Sequence, residues 1–280
     1  MSRKAIILAA GKGSRLAPLT PALPKELLPL EGLPVLHHAL AEAADAGVRE
    51  VVIVLSEEKD AIKEYCAISS APKGEEALKL CKLRDALFDR ISVSFVYQKE
   101  LKGTADAILA AGDFGKNEPI LILYPDDVLG VDSVGGFRSL DRKVNSSARL
   151  FEKAEETAGS VVLVREIEKE KAGQYGVLFP RKFFSDGFTV KNIIEKPKRL
   201  SEERAFALVG RMVLSPRVRE RIASLPASDA EGVIPALNEA AKESRLFALT
   251  LNGLSLDVGS HEGYLHAVAS LIDHDRFTPF

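Results

Sequence analysis

Apolar residues along this chain follow two rhythms. Ala5 to Ala10, Val51 to Leu55 and Pro119 to Tyr124 are continuous apolar runs without polar alternation, the pattern of strands buried on both faces in a parallel sheet. Between the first two, Val35, Leu36, Ala39, Leu40, Ala43 and Ala44 recur at helical spacing, with Pro34 opening the helix and Gly47 closing it. Strand, loop, helix and strand in this order make a βαβ unit with a right-handed crossover. Ser56-Glu57-Glu58 predicts a capped helix through about Tyr65. The charged stretch 66–90 predicts one helix, Glu75 to Phe88, inserted on this scaffold. Ile91 to Tyr97 alternates apolar and polar residues like a more exposed strand, and Lys102 to Ile108 turns into a helix with Thr104 as its N-cap.

The second half is more mixed. From about 130 to 160 the composition is more polar, with a helical stretch near Arg149 to Glu156. Strands are expected over Val161 to Arg165, Gly176 to Phe179, Val190 to Glu195 and Phe206 to Leu214, and Ser215-Pro216 starts a helix. A helix from Glu231 to Lys242, strands near Phe247 to Leu251 and Ser255 to Asp257, and a helix from Glu262 to Ile272 complete the pattern. No Pro/Ser-rich linker and no internal repeat divides it. Residues 1–280 therefore read as one α/β domain.

Composition narrows the function more than the fold. A net charge of −2 carries no basic excess to suggest nucleic acid, and no apolar run is long enough to span a bilayer. The N-terminal apolar run is short and ends in glycines, so it does not read as an export signal. Cys66 and Cys81 are then expected as two free thiols in a reducing, cytoplasmic setting. No His/Cys cluster has zinc spacing.

Chemistry concentrates where the first strand breaks. Gly11-Lys12-Gly13-Ser14-Arg15 follows it at once, and Lys25 comes shortly after. Gly11 and Gly13 let a ligand lie against backbone N–H groups, and with three nearby cations this describes a polyphosphate site. Two glycines after a strand are common, so the loop alone is a weak signal. Neither familiar Gly-rich motif fits. Leu16 stands where the dinucleotide fingerprint needs its third Gly, which disfavours an NAD-binding oxidoreductase, and the ATP-type P-loop is longer and ends Gly-Lys-Ser/Thr. Pro18, Pro21 and Pro24 also forbid the immediate helix both require. An extended cationic loop remains.

Asp126 falls just past a buried strand, where ligands bind in open parallel sheets, and Asp127 competes with it for the same role. Asp257 ends Leu254-Ser255-Leu256-Asp257. Each alone reads as a turn or cap residue, but a pair beside a polyphosphate would make an all-oxygen Mg²⁺ site. Glu195-Lys196 sets an acid beside a base at a strand end stopped by Pro197. Gln98 offers donor and acceptor, matching a uracil or thymine edge.

Leu8-Ala9-Ala10-Gly11-Lys12-Gly13-Ser14-Arg15-Leu16 followed by Pro24-Lys25-Glu26-Leu27-Leu28-Pro29 resembles the signature of sugar-1-phosphate nucleotidylyltransferases, above all the bacterial UTP–glucose-1-phosphate uridylyltransferases. The likeness covers nearly the whole chain, with the motifs in the family's order. It implies a Rossmann-like mixed, mostly parallel sheet flanked by helices, with a nucleotide-binding part over about 1–130 and a sugar-binding part over about 131–280. It implies that Ala10, Gly11, Gly13, Glu26, Gln98 and Gly103 contact the nucleotide, and that Tyr175, Gly176, Glu195, Val209 and Gly210 line the sugar pocket. Arg15, Lys25 and Lys196 would be the catalytic cations. Asp126, chosen over Asp127 by the resemblance, and Asp257 would hold Mg²⁺. The substrates implied are a nucleoside triphosphate and a sugar-1-phosphate, and the assembly a homo-oligomer, dimer or tetramer.

Ser14 replaces the usual Thr, a conservative change that keeps the hydroxyl. Two departures bear on the base: Pro21 replaces a common Lys, and Gly103-Thr104-Ala105-Asp106-Ala107 is closer to ADP-glucose pyrophosphorylases than to the usual Gly-Leu-Gly-His. Pro24-Lys25-Glu26, Pro125-Asp126-Asp127 and Ala207-Leu208-Val209-Gly210-Arg211 favour UTP. The rival readings are a dTTP- or ATP-dependent enzyme on the same fold, and a silent sugar-nucleotide-binding regulator.

Overall fold

A computed structural model describes residues 3–67, 73–130, 145–200, 204–225 and 232–272. The polar stretch 131–144 and the expected helix start at Glu231 lie outside them. In chain order the strands are β1 (Arg3–Leu8), β2 (Pro29–Leu30), β3 (Leu33–Pro34), β4 (Val48–Leu55), β5 (Ser92–Tyr97), β6 (Ile120–Leu123), β7 (Asp127–Gly130), β8 (Ser160–Glu168), β9 (Gly176–Phe184), β10 (Gly187–Glu195), β11 (Arg204–Leu214), β12 (Leu246–Thr250) and β13 (Leu254–Asp257). The helices are α1 (Val35–Asp45), α2 (Asp60–Ala67), α3 (Glu75–Phe88), α4 (Gly103–Ala110), α5 (Ser146–Thr157), α6 (Pro216–Ser224), α7 (Ile234–Lys242) and α8 (His261–Ile272).

A nine-stranded sheet ordered β5-β4-β1-β6-β11-β8-β12-β10-β9 carries the fold. From β5 to β6 every pairing is parallel, as the continuous apolar runs predict. Beyond β6 the sheet is mixed: β11 returns antiparallel between β6 and β8, while β12 runs parallel to β8. The all-parallel run is confined to β5–β6, where α1 carries the chain from β1 across to β4 and α2 and α3 carry it from β4 to β5.

Alternation along each strand feeds two cores. Ile6, Ile120 and Ile122 pack with Ile108 of α4, Ile222 of α6 and Leu237 of α7. Ala5, Ile7, Leu121 and Leu123 pack on the other face with Leu36 and Leu40 of α1, Ile62 of α2, Leu87 of α3 and Phe151 of α5. Helices cover both faces, so these strands need no polar side.

Several element starts differ from expectation for local reasons. The Ser56 carbonyl closes a turn onto Lys59 N, so α2 begins at Asp60 rather than at Ser56. Helix α4 begins at Gly103, with Thr104 inside its first turn rather than capping it. Helix α5 starts earlier than Arg149 because Asn145 caps it, its Oδ1 accepting from Ala148 N at 2.9 Å. Strand β7, which pairs antiparallel with β13, has no apolar run to announce it. Neither Cys66 nor Cys81 is in a disulfide, and burial pushes the Cys66 thiol up to about 12. No helix among the described residues is long and apolar enough to cross a membrane.

Candidate active site

A small apolar cluster assembles the site. Leu16 from the cationic loop, Leu28, Leu30 and Val35 pack against Val128 of β7, Leu256 and Val258 around β13, and Ala267 of α8. The contact is pinned by Val258 N donating to Asp126 O at 2.8 Å and by the Tyr264 hydroxyl donating to Pro29 O at 2.7 Å. Residues more than a hundred positions apart thus meet at the carboxyl ends of β1 and β6, where an open parallel sheet leaves its crevice.

Lys25 Nζ donates to Asp126 Oδ2 at 2.5 Å. Burial alone would depress the ammonium, but Asp126 and then Glu26 more than offset it, so its pKa is raised. Burial likewise opposes ionisation of Asp126, yet Lys25, a backbone hydrogen bond and Arg15 hold it below the usual carboxylate range. The pair is charged at neutral pH. Arg15 Nη1 lies 3.7 Å from Asp257 Oδ2, with the Arg15 side chain 63% exposed to the cleft.

Gly259 shows how tightly these groups converge. A Cβ there would lie 2.8 Å from Asp126 Oδ2, 2.9 Å from Arg15 Nη2 and 3.0 Å from Asp257 Oδ1. Only glycine leaves this cradle open. Two carboxylates sharing it form an all-oxygen donor set, and no group of three or more His, Cys, Asp or Glu suited to a metal occurs among the described residues. Such a set fits Mg²⁺, which binds through one or two carboxylates and takes its remaining ligands from phosphates and water; it does not fit zinc. Gly259→Ala is expected to lower kcat/KM about 10²-fold, as displacement of positioned groups does, with the urea midpoint unchanged. Steady-state kinetics and urea denaturation check it.

The neighbouring carboxylate has a different task. Asp127 Oδ2 accepts from Gly210 N at 2.9 Å and Oδ1 from Ser255 Oγ at 2.5 Å, tying β7 to β11 and β13. Asp126 faces the cleft cations and Asp127 braces them, a distinction that spacing left open.

One lobe of the cleft is lined by Ala10, Gly11, Lys12, Lys25, Gln98 and Gly103. Gly11 has open space where a Cβ would stand. Gly13 shapes the loop instead: its φ is +66°, its carbonyl accepts from Thr20 Oγ1 at 3.0 Å, and a Cβ would meet Thr20 Cγ2 at 2.8 Å. Glu26, expected among the nucleotide contacts, turns its side chain inward. It is fully buried, both of its oxygens accept from Lys59 Nζ at 2.8–2.9 Å, and it does not line the cleft. Its charge helps to hold the Lys25 ammonium.

The other lobe is lined by Tyr175, Gly176, Glu195, Lys196, Val209 and Gly210, together with Arg15, Asp126 and Asp257. Tyr124 and Thr104 line both lobes, and the Tyr124 hydroxyl is hydrogen-bonded to Thr104. Lys196 takes φ +43°, and its Nζ lies 3.8 Å from Glu195 Oε1. The β11–β8 register shifts between Leu208 and Met212, a bulge that turns Val209-Gly210 into the cleft. At Gly210 the space is filled by protein: a Cβ would meet Tyr124 Cβ at 2.8 Å.

Two features were not visible in the sequence. Arg165, at the inner part of β8, lines the second lobe and donates to the Tyr175 hydroxyl at 2.9 Å; only its place after an apolar run hinted at it. Arg211 is 1% exposed and faces away from the lobes. Its Nε and Nη2 bind the Glu42 carboxylate at 2.8–3.1 Å, and its Nη1 donates to Tyr124 O and Gly210 O at 2.9 Å each. Ser147 Oγ completes the network at Glu42 Oε1.

Fold and cleft define an α/β protein with a cationic, carboxylate-bearing crevice at its strand ends. The chain belongs to the nucleotidyl transferase family, whose model matches residues 4–274. It is 29% identical to UTP–glucose-1-phosphate uridylyltransferase of Bacillus subtilis, over 98% of this chain and 92% of that protein. It is 30% identical to UTP–glucose-1-phosphate uridylyltransferase 2 of Staphylococcus saprophyticus, over 99% and 96%. Among solved structures, a UDP-glucose pyrophosphorylase complexed with UDP-glucose superposes with a TM-score of 0.86 at 26% identity, covering 99% of this chain and all of that one.

Proposed function

We propose that this protein transfers a uridylyl group from UTP to glucose-1-phosphate, giving UDP-glucose and pyrophosphate. The observation that carries the reading is the convergence of Lys25, Arg15, Asp126 and Asp257 on one cradle, between a lobe floored by Gln98 and one lined by Glu195 and Lys196. The names of the full-length relatives support the substrates.

The sugar phosphate is already an anion near neutral pH, so its oxygen attacks the α-phosphorus in line and pyrophosphate departs without a general base. The residues act by positioning and by charge. Lys25 meets the α-phosphoryl group as negative charge grows there, Arg15 holds the departing β- and γ-phosphates, and Lys196 grips the sugar phosphate. Glu195 accepts from sugar hydroxyls beside Tyr175 and Gly176, and Val209-Gly210 closes the pocket. Gln98 and Gly103 receive the base, with Ala10 and Gly11 along the phosphates. Asp126 and Asp257 would hold Mg²⁺. The ion, when bound, supplies charge neutralisation to the phosphate oxygens.

Pyrophosphate release with glucose-1-phosphate and Mg²⁺, run with UTP, dTTP, ATP, CTP and GTP, tests the reading. A strong preference for UTP supports it, and a preference for dTTP or ATP keeps the mechanism but changes the donor. EDTA is expected to stop turnover and excess Mg²⁺ to restore it; undiminished release in EDTA contradicts the metal assignment.

A further inference from the structure

Gln98 sits at the end of β5, with its backbone N donating to Leu55 O at 2.8 Å, and is 5% exposed at the floor of the first lobe. A free glutamine amide reads either donor or acceptor by rotating half a turn. This one is not free. Its Nε2 donates to Asp106 Oδ2 at 2.8 Å and to Gly103 O at 3.0 Å, so both N–H groups are used within the protein. Both partners are acceptors only, a carboxylate and a carbonyl, so the flipped amide would set oxygen against oxygen. Oε1 meets no protein donor among the described residues and is left for the cleft.

We infer that Asp106, helped by the Gly103 carbonyl, is a positioning residue that locks the Gln98 amide with its oxygen outward and thereby selects a base presenting an N–H. The inference rests on the reading of this lobe as the base site. Gly103 and Thr104, whose backbone N–H groups have no partner within α4, line the same lobe. A fixed acceptor at Oε1 complements the N–H of an imide edge, as uracil and thymine carry. Cytosine has a bare nitrogen in place of that N–H and would leave two acceptors facing each other.

Two substitutions separate locking from mere support of the helix. Asp106→Glu keeps an acceptor-only carboxylate in this segment, whereas Asp106→Ala removes it and frees one of the two amide N–H groups. Dissociation constants for UTP and CTP, measured by calorimetry on the full chain without sugar, do not depend on turnover. The parent is expected to prefer UTP over CTP by on the order of 10²-fold or more. In Asp106→Ala the ratio should fall about tenfold, the effect of one charge-assisted hydrogen bond, and in Asp106→Glu it should stay nearer the parent's. A ratio unchanged in Asp106→Ala overturns the inference, as does an equal loss in both variants or a parent that binds CTP as tightly as UTP. Tight, selective UTP binding without pyrophosphate release would instead overturn the catalytic reading and leave this one standing.

Discussion

Lys25→Ala is expected to release pyrophosphate about 10²–10³-fold more slowly than the parent, the usual cost of losing one preorganised donor at a developing charge. The loss should appear in kcat more than in KM, because Lys25 meets the α-phosphoryl group most strongly as the reaction proceeds. A second readout comes from its partner. In the parent, burial opposes ionisation of Asp126, but Lys25, with a backbone hydrogen bond and Arg15, holds it below the ordinary carboxylate range. The carboxylate therefore persists until the pH falls beneath that range. Without the ammonium, burial dominates and raises the Asp126 pKa, so the acid limb of the pH–rate profile should move to higher pH. A variant turning over near the parent's rate would falsify the role given to Lys25.

Glu42→Ala is expected to lower folding stability by about 3–5 kcal/mol, read as a drop in the urea midpoint, because it strands the Arg211 guanidinium in the interior. Three elements converge on that carboxylate: α1 carries it, β11 supplies Arg211, and Ser147 of α5 donates to it. Replacing both charges, Glu42→Leu with Arg211→Met, should recover much of the stability, since a well-packed apolar pair often matches a buried ion pair. It should not recover the rate. Arg211 Nη1 holds the Tyr124 and Gly210 carbonyls, which frame the turn presenting Asp126. Stability and activity would therefore part company in the double variant.

What the chain disclosed about itself follows the range of the interactions. The strands β1, β4 and β6 were legible because burial on both faces writes an unbroken apolar run, and α1 because its apolar face repeats at helical spacing. Asp126 and Asp127 could not be separated by spacing. Their difference lies in what comes from elsewhere, Lys25 to one, Gly210 and Ser255 to the other. Glu26 was expected among the nucleotide contacts from the resemblance, and its side chain turns inward to Lys59, a partner 33 residues on. The Glu42–Arg211 pair joins α1 to β11 across most of the chain, and no local pattern encodes such a partnership. Arg165 was hidden for the same reason, and β7 because a four-residue strand pairing with a distant segment needs no apolar run of its own.

The central claim is that one cleft joins the nucleotide of UTP to a sugar phosphate. Its most direct test incubates the purified chain with UTP, glucose-1-phosphate and Mg²⁺ and quantifies UDP-glucose and pyrophosphate together. The account predicts equal amounts of the two, neither forming when one substrate is omitted. Bound UTP that stays intact, or pyrophosphate released without a matching sugar nucleotide, would contradict it.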